Sequence, residues 1–125
     1  MKHLISLILL LATAFALAAE PVKHVQAAEA AKLISDGKIT VLDVRTADEF
    51  GEGHIKGAKN IDIFADDFAA QLGKLDKTKP VLVHCQSGGR STRSLETFEQ
   101  LGFKDVTHLD GGFAGWSKAG LPVEK

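Results

Sequence analysis

The sequence predicts an α/β domain built on a parallel sheet, and three observations carry that prediction. Short β-branched and apolar runs alternate with stretches whose apolar residues recur at helical spacing, the form taken by repeated strand and helix units. The run Val81-Leu82-Val83-His84 is apolar almost throughout and is bounded by Pro80 and a glycine-containing loop, as burial of a central strand on both faces requires. Residues 19–125 suffice for one domain with its own core and are too few for two.

Taken in order, a first short strand ends at Val25. A helix over Gln26 to Ser35 follows, with Ala27, Ala30, Ala31 and Ile34 on one face and Gly37 available to end it. The β-branched run from Ile39 to Val44 reads as a buried parallel strand. Thr46-Ala47-Asp48-Glu49 matches a capping box and opens a short helix that Gly51 and Gly53 stop. Asn60 to Ile63 is a weak third strand. Asp66 to Leu75 places Phe68, Leu72 and Leu75 for a third helix, and Val81 to His84 is the central strand. Ser91 to Leu101 presents Leu95, Phe98 and Leu101 as a helix face closed by Gly102. Val106 to Leu109 forms the last strand, and Gly111-Gly112 leads into a helical turn around Trp116. No internal repeat or low-complexity segment interrupts this order.

The N-terminal stretch stands apart. Lys2 and His3 precede an apolar run from Leu4 to Leu17, shorter than the ~20 residues of a membrane-spanning helix. Ala16-Leu17-Ala18 supplies a small-x-small cleavage pattern and Glu20-Pro21 ends the apolar character. Residues 1–18 therefore read as a secretory signal peptide, and residues 19–125 as a single exported domain with a periplasmic location and no stable membrane insertion after cleavage. With a formal net charge of −1 and no basic run, the chain offers no electrostatic footprint for nucleic acid. Small molecules or another protein are the expected partners, and a monomer the expected state.

The chain has one cysteine, Cys85, in a protein read as entering a compartment where thiols are usually paired. A lone thiol is either an inert buried hydrophobe or a group kept for chemistry, and its setting decides. Cys85-Gln86-Ser87-Gly88-Gly89-Arg90-Ser91 lies between the central strand and an amphipathic helix, at the strand end where ligand sites form in open α/β sheets. Two glycines let the backbone curl so that amide N–H groups converge, and the following helix adds its positive end. A thiol pKa of ~8.5 falls to roughly 3.5–7.5 in such a setting, and the thiolate is the reactive form. Arg90 adds a planar fork of donors suited to an oxyanion.

At these residues the sequence resembles the rhodanese family over nearly all of residues 19–125. Asp43-Val44-Arg45 with Glu49-Phe50, and Gly53-His54-Ile55-Lys56-Gly57-Ala58-Lys59-Asn60-Ile61, resemble its upstream signature. Val81 to Cys85 with Gly88, Arg90 and Ser91 resembles its active-site strand and loop, and Leu109-Asp110-Gly111-Gly112 with Trp116 its closing motif. The resemblance implies a three-layer rhodanese-like fold, a five-stranded parallel sheet with helices on both faces. It further implies a thiosulfate sulfurtransferase that works without a cofactor. Cys85 would form a persulfide with sulfur from a donor such as thiosulfate and pass it to cyanide, a thiol or a protein acceptor. Gln86, Ser87, Gly88, Gly89 and Arg90 would bind substrate, with Asp43 and Arg45 supporting the loop or simply forming a structural salt bridge. Sulfur-transferring members have four residues between cysteine and arginine, as here, whereas the related phosphatases and arsenate reductases have one more. One departure is Gln86, where many thiosulfate-using members carry a basic residue. A persulfide carrier for a partner protein is the alternative that this departure keeps open.

Other candidates carry less. His84 adjoins Cys85, but adjacent strand residues point to opposite faces. His54 and His108 lack a metal-ligand pattern, so no metal is expected, and Trp116 is expected to pack the closing helix on the core.

Overall fold

The computed structural model describes residues 21–125, so the signal segment expected at residues 1–18 lies outside the described residues. Five short strands, β1 (Lys23–Val25), β2 (Thr40–Asp43), β4 (Lys59–Asn60), β5 (Val81–His84) and β6 (Val106–Leu109), form one parallel sheet in the order β1-β6-β5-β2-β4. The apolar run after Pro80 occupies the middle of this sheet, and all four of its residues are buried. With no water on either side, its backbone groups are satisfied by the ladders to β2 and β6.

Helices cover both faces, the three-layer arrangement expected from the sequence. On one face α3 (Phe68–Leu72) and α4 (Gly89–Leu101) bring Phe68, Leu72 and Phe98 onto Leu42, Val81 and Val83. Phe98 and Phe103 meet edge to face, with ring centroids 5.0 Å apart. On the other face α1 (Ala27–Ser35) and α5 (Gly112–Lys118) bring Ala30 and Trp116 onto Val25, Val41, Leu82 and Leu109. Ala30 is fully buried, and Ala27, Ala31 and Ile34 pack beside it, the stripe that helical spacing placed there. Trp116 also donates its indole N–H to the Pro122 carbonyl.

The structure corrects several boundaries. α2 (Ala47–Glu52) opens with the expected capping box, Thr46 Oγ1 accepting from the Glu49 amide, but it runs through Gly51 and stops at Gly53. The third strand is Lys59–Asn60, not 60–63. Beyond it the chain keeps following β2 through Ile61 N–H to Asp43 O and Ile63 N–H to Val44 O, without regular pairing. α4 starts at Gly89, two residues before Ser91, because its first turn is built from the loop itself. α5 is a helix of two turns where a single turn was expected. A small antiparallel ribbon of β3 (His54–Ile55) and β7 (Val123–Glu124) has no counterpart in the sequence analysis. Two-residue strands leave no periodic signal to read.

These elements place the ends of β2, β5 and β6 side by side, and the loops leaving those ends carry Arg45, Cys85 and Asp110.

Candidate active site

Cys85 is the first residue past β5, 1 % exposed, with its side chain on the α4 face. The loop from Cys85 to Arg90 folds over its sulfur. The Gly88 amide donates to Sγ at 3.1 Å and the Ser91 hydroxyl lies 3.2 Å from it. Burial by itself pushes the Cys85 thiol up, yet the net shift is downward. The Ser91 hydroxyl and the amides of Ser91, Gly88 and Ser87, which favour the thiolate, outweigh it. The amides that do this belong to Ser87 and Gly88 of the loop and to Ser91 just beyond it.

The two loop glycines have different roles. Gly88 sits at φ 116°, and a Cβ there would come within 2.8 Å of the Asp110 carbonyl, so both conformation and space require glycine. Gly89 opens α4 with nothing near the place of its missing Cβ. The second demanding glycine is Gly112, at φ 60°, where a Cβ would lie 2.5 Å from the Gln86 carbonyl oxygen and 2.7 Å from that of Cys85. Its absence lets the start of α5 press on the back of the loop. There the amides of Phe113 and Ala114 donate to the Cys85 and Gln86 carbonyls at 2.8 and 3.0 Å.

Asp43 and Arg45 form a fully buried pair below the loop. Arg45 Nε and Nη2 both donate to the carboxylate at 2.8–3.0 Å, while Nη1 reaches Gln86 Oε1 at 3.2 Å and Nη2 the Gly53 carbonyl. The guanidinium lies 4.3 Å from the Phe113 ring centroid. The salt bridge and the loop support are thus one arrangement. Gln86, at the position where many thiosulfate-using members of the family carry a basic residue, accepts from this arginine and is exposed, as is Ser87.

Arg90, expected as a free fork, has both prongs on Glu49: Nη1 to Oε1 at 2.6 Å and Nη2 to Oε2 at 2.9 Å. The Arg90 guanidinium, with smaller help from Thr46, brings the Glu49 carboxyl from 4.5 down to about 2 against a modest burial effect. The Arg90 guanidinium is correspondingly raised by the same contact. An open cleft of about 840 Å³ adjoins the loop at Gln86 and is lined by Glu49, Glu52, Glu124, Arg45 and Lys125 among others.

His84 is buried on the face away from Cys85 Sγ. Its Nδ1 lies 2.9 Å from the Cys85 carbonyl oxygen and its Nε2 3.7 Å from Asp43 Oδ2. Burial, the dominant influence, lowers its pKa and keeps it neutral. His54 stacks on Phe50 with ring centroids 3.7 Å apart. His108, set back at the sequence level, is instead part of the site. It is buried, its Nε2 lies 2.8 Å from Ser91 Oγ, and its Nδ1 lies 2.7 Å from Asp110 Oδ1. His24 Nδ1 meets the same Asp110 oxygen at 2.7 Å, so ligand-type atoms of His24, His108 and Asp110 gather within 4.8 Å. No metal pattern had been read at these residues. The alternation of His108 and Asp110 along one strand end was the available signal, and His24 joins them only through the β1–β6 pairing.

A rhodanese-like domain model matches residues 26–119, which contain the whole sheet after β1, the loop and the closing glycines. The chain belongs to the rhodanese-like family. Its rhodanese-like domain is 31 % identical over 97 residues to the thiosulfate sulfurtransferase GlpE of Shewanella oneidensis, covering 78 % of this chain and 94 % of that protein. It is 34 % identical over 119 residues to the uncharacterized protein YibN of Escherichia coli K12, covering 94 % and 82 % of the two chains. The crystal structure of a rhodanese-related protein from Thermoplasma volcanium superposes with a TM-score of 0.72 at 31 % identity, covering 82 % of this chain and 97 % of that one. The rhodanese-like fold is thus shared with these proteins, and the comparison with GlpE supports a sulfurtransferase activity in general terms.

Proposed function

We propose that this rhodanese-like domain moves sulfane sulfur from a donor such as thiosulfate to cyanide or a thiol through a persulfide on Cys85. The observation that carries the proposal is the Cys85 sulfur itself, enclosed by the loop and held toward its thiolate by the Ser91 hydroxyl and the surrounding amides. The thiolate attacks the outer sulfur of thiosulfate, a Cys85 S–S bond forms, and the donor's S–S bond breaks with its electron pair leaving on sulfite. The new terminal sulfur carries the negative charge, and backbone amides of the loop stabilise it. Cyanide or a thiolate then attacks that terminal sulfur, and the Cys85 thiolate is the leaving group. No cofactor enters either step. The four-residue spacing between Cys85 and Arg90 supports sulfur transfer over phosphate or arsenate chemistry, which uses a wider ring.

A second reading, a persulfide carrier serving a partner protein, draws on the Arg90–Glu49 pair and the glutamates of the adjoining cleft. A dianionic donor has to part Arg90 from Glu49 before it gains that fork, whereas a partner protein with a basic surface suits the cleft as it stands. The export segment expected at residues 1–18 adds a periplasmic setting to both readings.

Intact mass of the purified protein after thiosulfate tests the proposal, with a gain of one sulfur atom that cyanide removes as thiocyanate. A gain with another persulfide donor but none with thiosulfate selects the carrier. No gain with any donor contradicts both.

A further inference from the structure

We propose that His108 is the proton acceptor for the Cys85 thiol, acting through Ser91 and positioned by Asp110 and His24. The inference deepens the persulfide proposal and rests on its use of Cys85 as nucleophile. Four side chains form an unbroken line: Cys85 Sγ to Ser91 Oγ at 3.2 Å, Ser91 Oγ to His108 Nε2 at 2.8 Å, and His108 Nδ1 to Asp110 Oδ1 at 2.7 Å. Ser91 and His108 are buried, 0 % and 2 % exposed, so neither is drawn into place by solvent.

The protonation pattern follows from what each atom can do. The two imidazoles, His108 first, hold the Asp110 carboxyl below its usual range, so it is an acceptor only. His108 Nδ1 must then carry a hydrogen, which in the neutral ring leaves Nε2 as an acceptor facing the Ser91 hydroxyl. Ser91 has one hydrogen to give, with the Gly88 carbonyl, Cys85 Sγ and His108 Nε2 all within 3.2 Å. While the thiol is protonated, that hydrogen points to His108 and the thiol S–H points to Ser91 Oγ. When the thiol ionises, its proton passes to Ser91 Oγ as the serine hydrogen passes to His108 Nε2. The products are a thiolate and an imidazolium, with charge conserved. Asp110 stabilises the imidazolium, and His24, about half exposed on the same carboxylate oxygen, links the line to solvent.

The groups facing this line are few. Beside His108 stand His24 and Asp110, and across Ser91 stands Cys85. The Arg90 guanidinium interacts with Cys85 while paired to Glu49, and His84, buried and neutral on the opposite face of the sheet, is the one further imidazole among the described residues whose charge is felt by His108.

The test is the pH dependence of Cys85 alkylation by iodoacetamide, which reads thiol ionisation whether or not thiosulfate is a donor. His108→Gln should raise the midpoint by roughly one pH unit, a tenfold slower reaction below it, with the rate at high pH unchanged. Asp110→Asn should shift it in the same direction by less. Because His108→Gln removes a buried group, a second measurement leaves His108 in place. The His108 imidazole nitrogens are followed by NMR against pH in the wild type and in Cys85→Ala, and loss of the thiol should change their response. Superimposable alkylation profiles for wild type and His108→Gln, or a His108 titration that Cys85→Ala leaves unmoved, would overturn the proposal. Failure of sulfur transfer with an intact coupling would count against the persulfide reading alone.

Discussion

His84 and Cys85 are neighbours in the chain and both buried, yet the two sides of the sheet they enter are built for different ends. On the His84 side, Asp43, Arg45 and His84 form a tight group whose bonds run to the backbone of Gly53, to Gln86 and to the Cys85 carbonyl. On the Cys85 side, Ser91, His108 and Asp110 run from the sulfur toward an exposed histidine. The first group holds the loop in place and the second acts on the sulfur's proton. Proximity in sequence therefore says little about shared chemistry when a strand lies between the two faces.

The contrast breaks first on the supporting side. Asp43→Ala leaves the Arg45 guanidinium buried without its carboxylate and should cost about 3–5 kcal/mol of folding stability in urea denaturation. Its alkylation midpoint, read on the folded fraction, should stay near that of the wild type. The next effect belongs to the glycines. Gly112→Ala drives a Cβ into two carbonyl oxygens and forces a positive φ on alanine, an expected loss of about 1–3 kcal/mol, while Gly89→Ala should stay within about 0.5 kcal/mol. Thermal melts of the pair check this.

The chemical side responds in a different observable. Ser91→Ala removes the hydroxyl that favours the thiolate and should raise the alkylation midpoint by roughly one unit, with a stability loss of about 1 kcal/mol. A shift in stability without a shift in midpoint would erase the distinction between the two sides. The smallest expected effect is at Glu49. Its folded-state value is depressed, from 4.5 to about 2, so its contribution to stability is present above 4.5 and fades as pH falls toward 2. Glu49→Gln keeps a capping residue but should flatten the stability curve across that acid window. By freeing Arg90 it should also lower the KM for thiosulfate severalfold in a thiocyanate assay.

The sheet was legible because its signals are local. Each long helix has an apolar stripe, the central strand is apolar on both faces, and Thr46 with Glu49 announces a cap that the structure contains. The loop was legible for the same reason, since Cys85 to Ser91 is one continuous segment. What the sequence did not show comes from residues that meet across the sheet. Glu49 was accounted for by its cap and hid its bond to Arg90, forty-one positions away. His108 was weighed as a metal ligand against its sequence neighbours, of which only Asp110 bonds it, whereas Ser91 reaches it from α4 and His24 joins through Asp110 from β1. Gly112 reads as a turn until the carbonyls of Cys85 and Gln86 are placed against it.

The central claim is the persulfide on Cys85, and mass spectrometry of the intact protein tests it most directly. The account predicts a gain of one sulfur atom on exposure to thiosulfate, its discharge by cyanide with formation of thiocyanate, and no gain in Cys85→Ser. A sulfur adduct of equal yield in Cys85→Ser, or turnover of thiosulfate to thiocyanate by that variant, would contradict it.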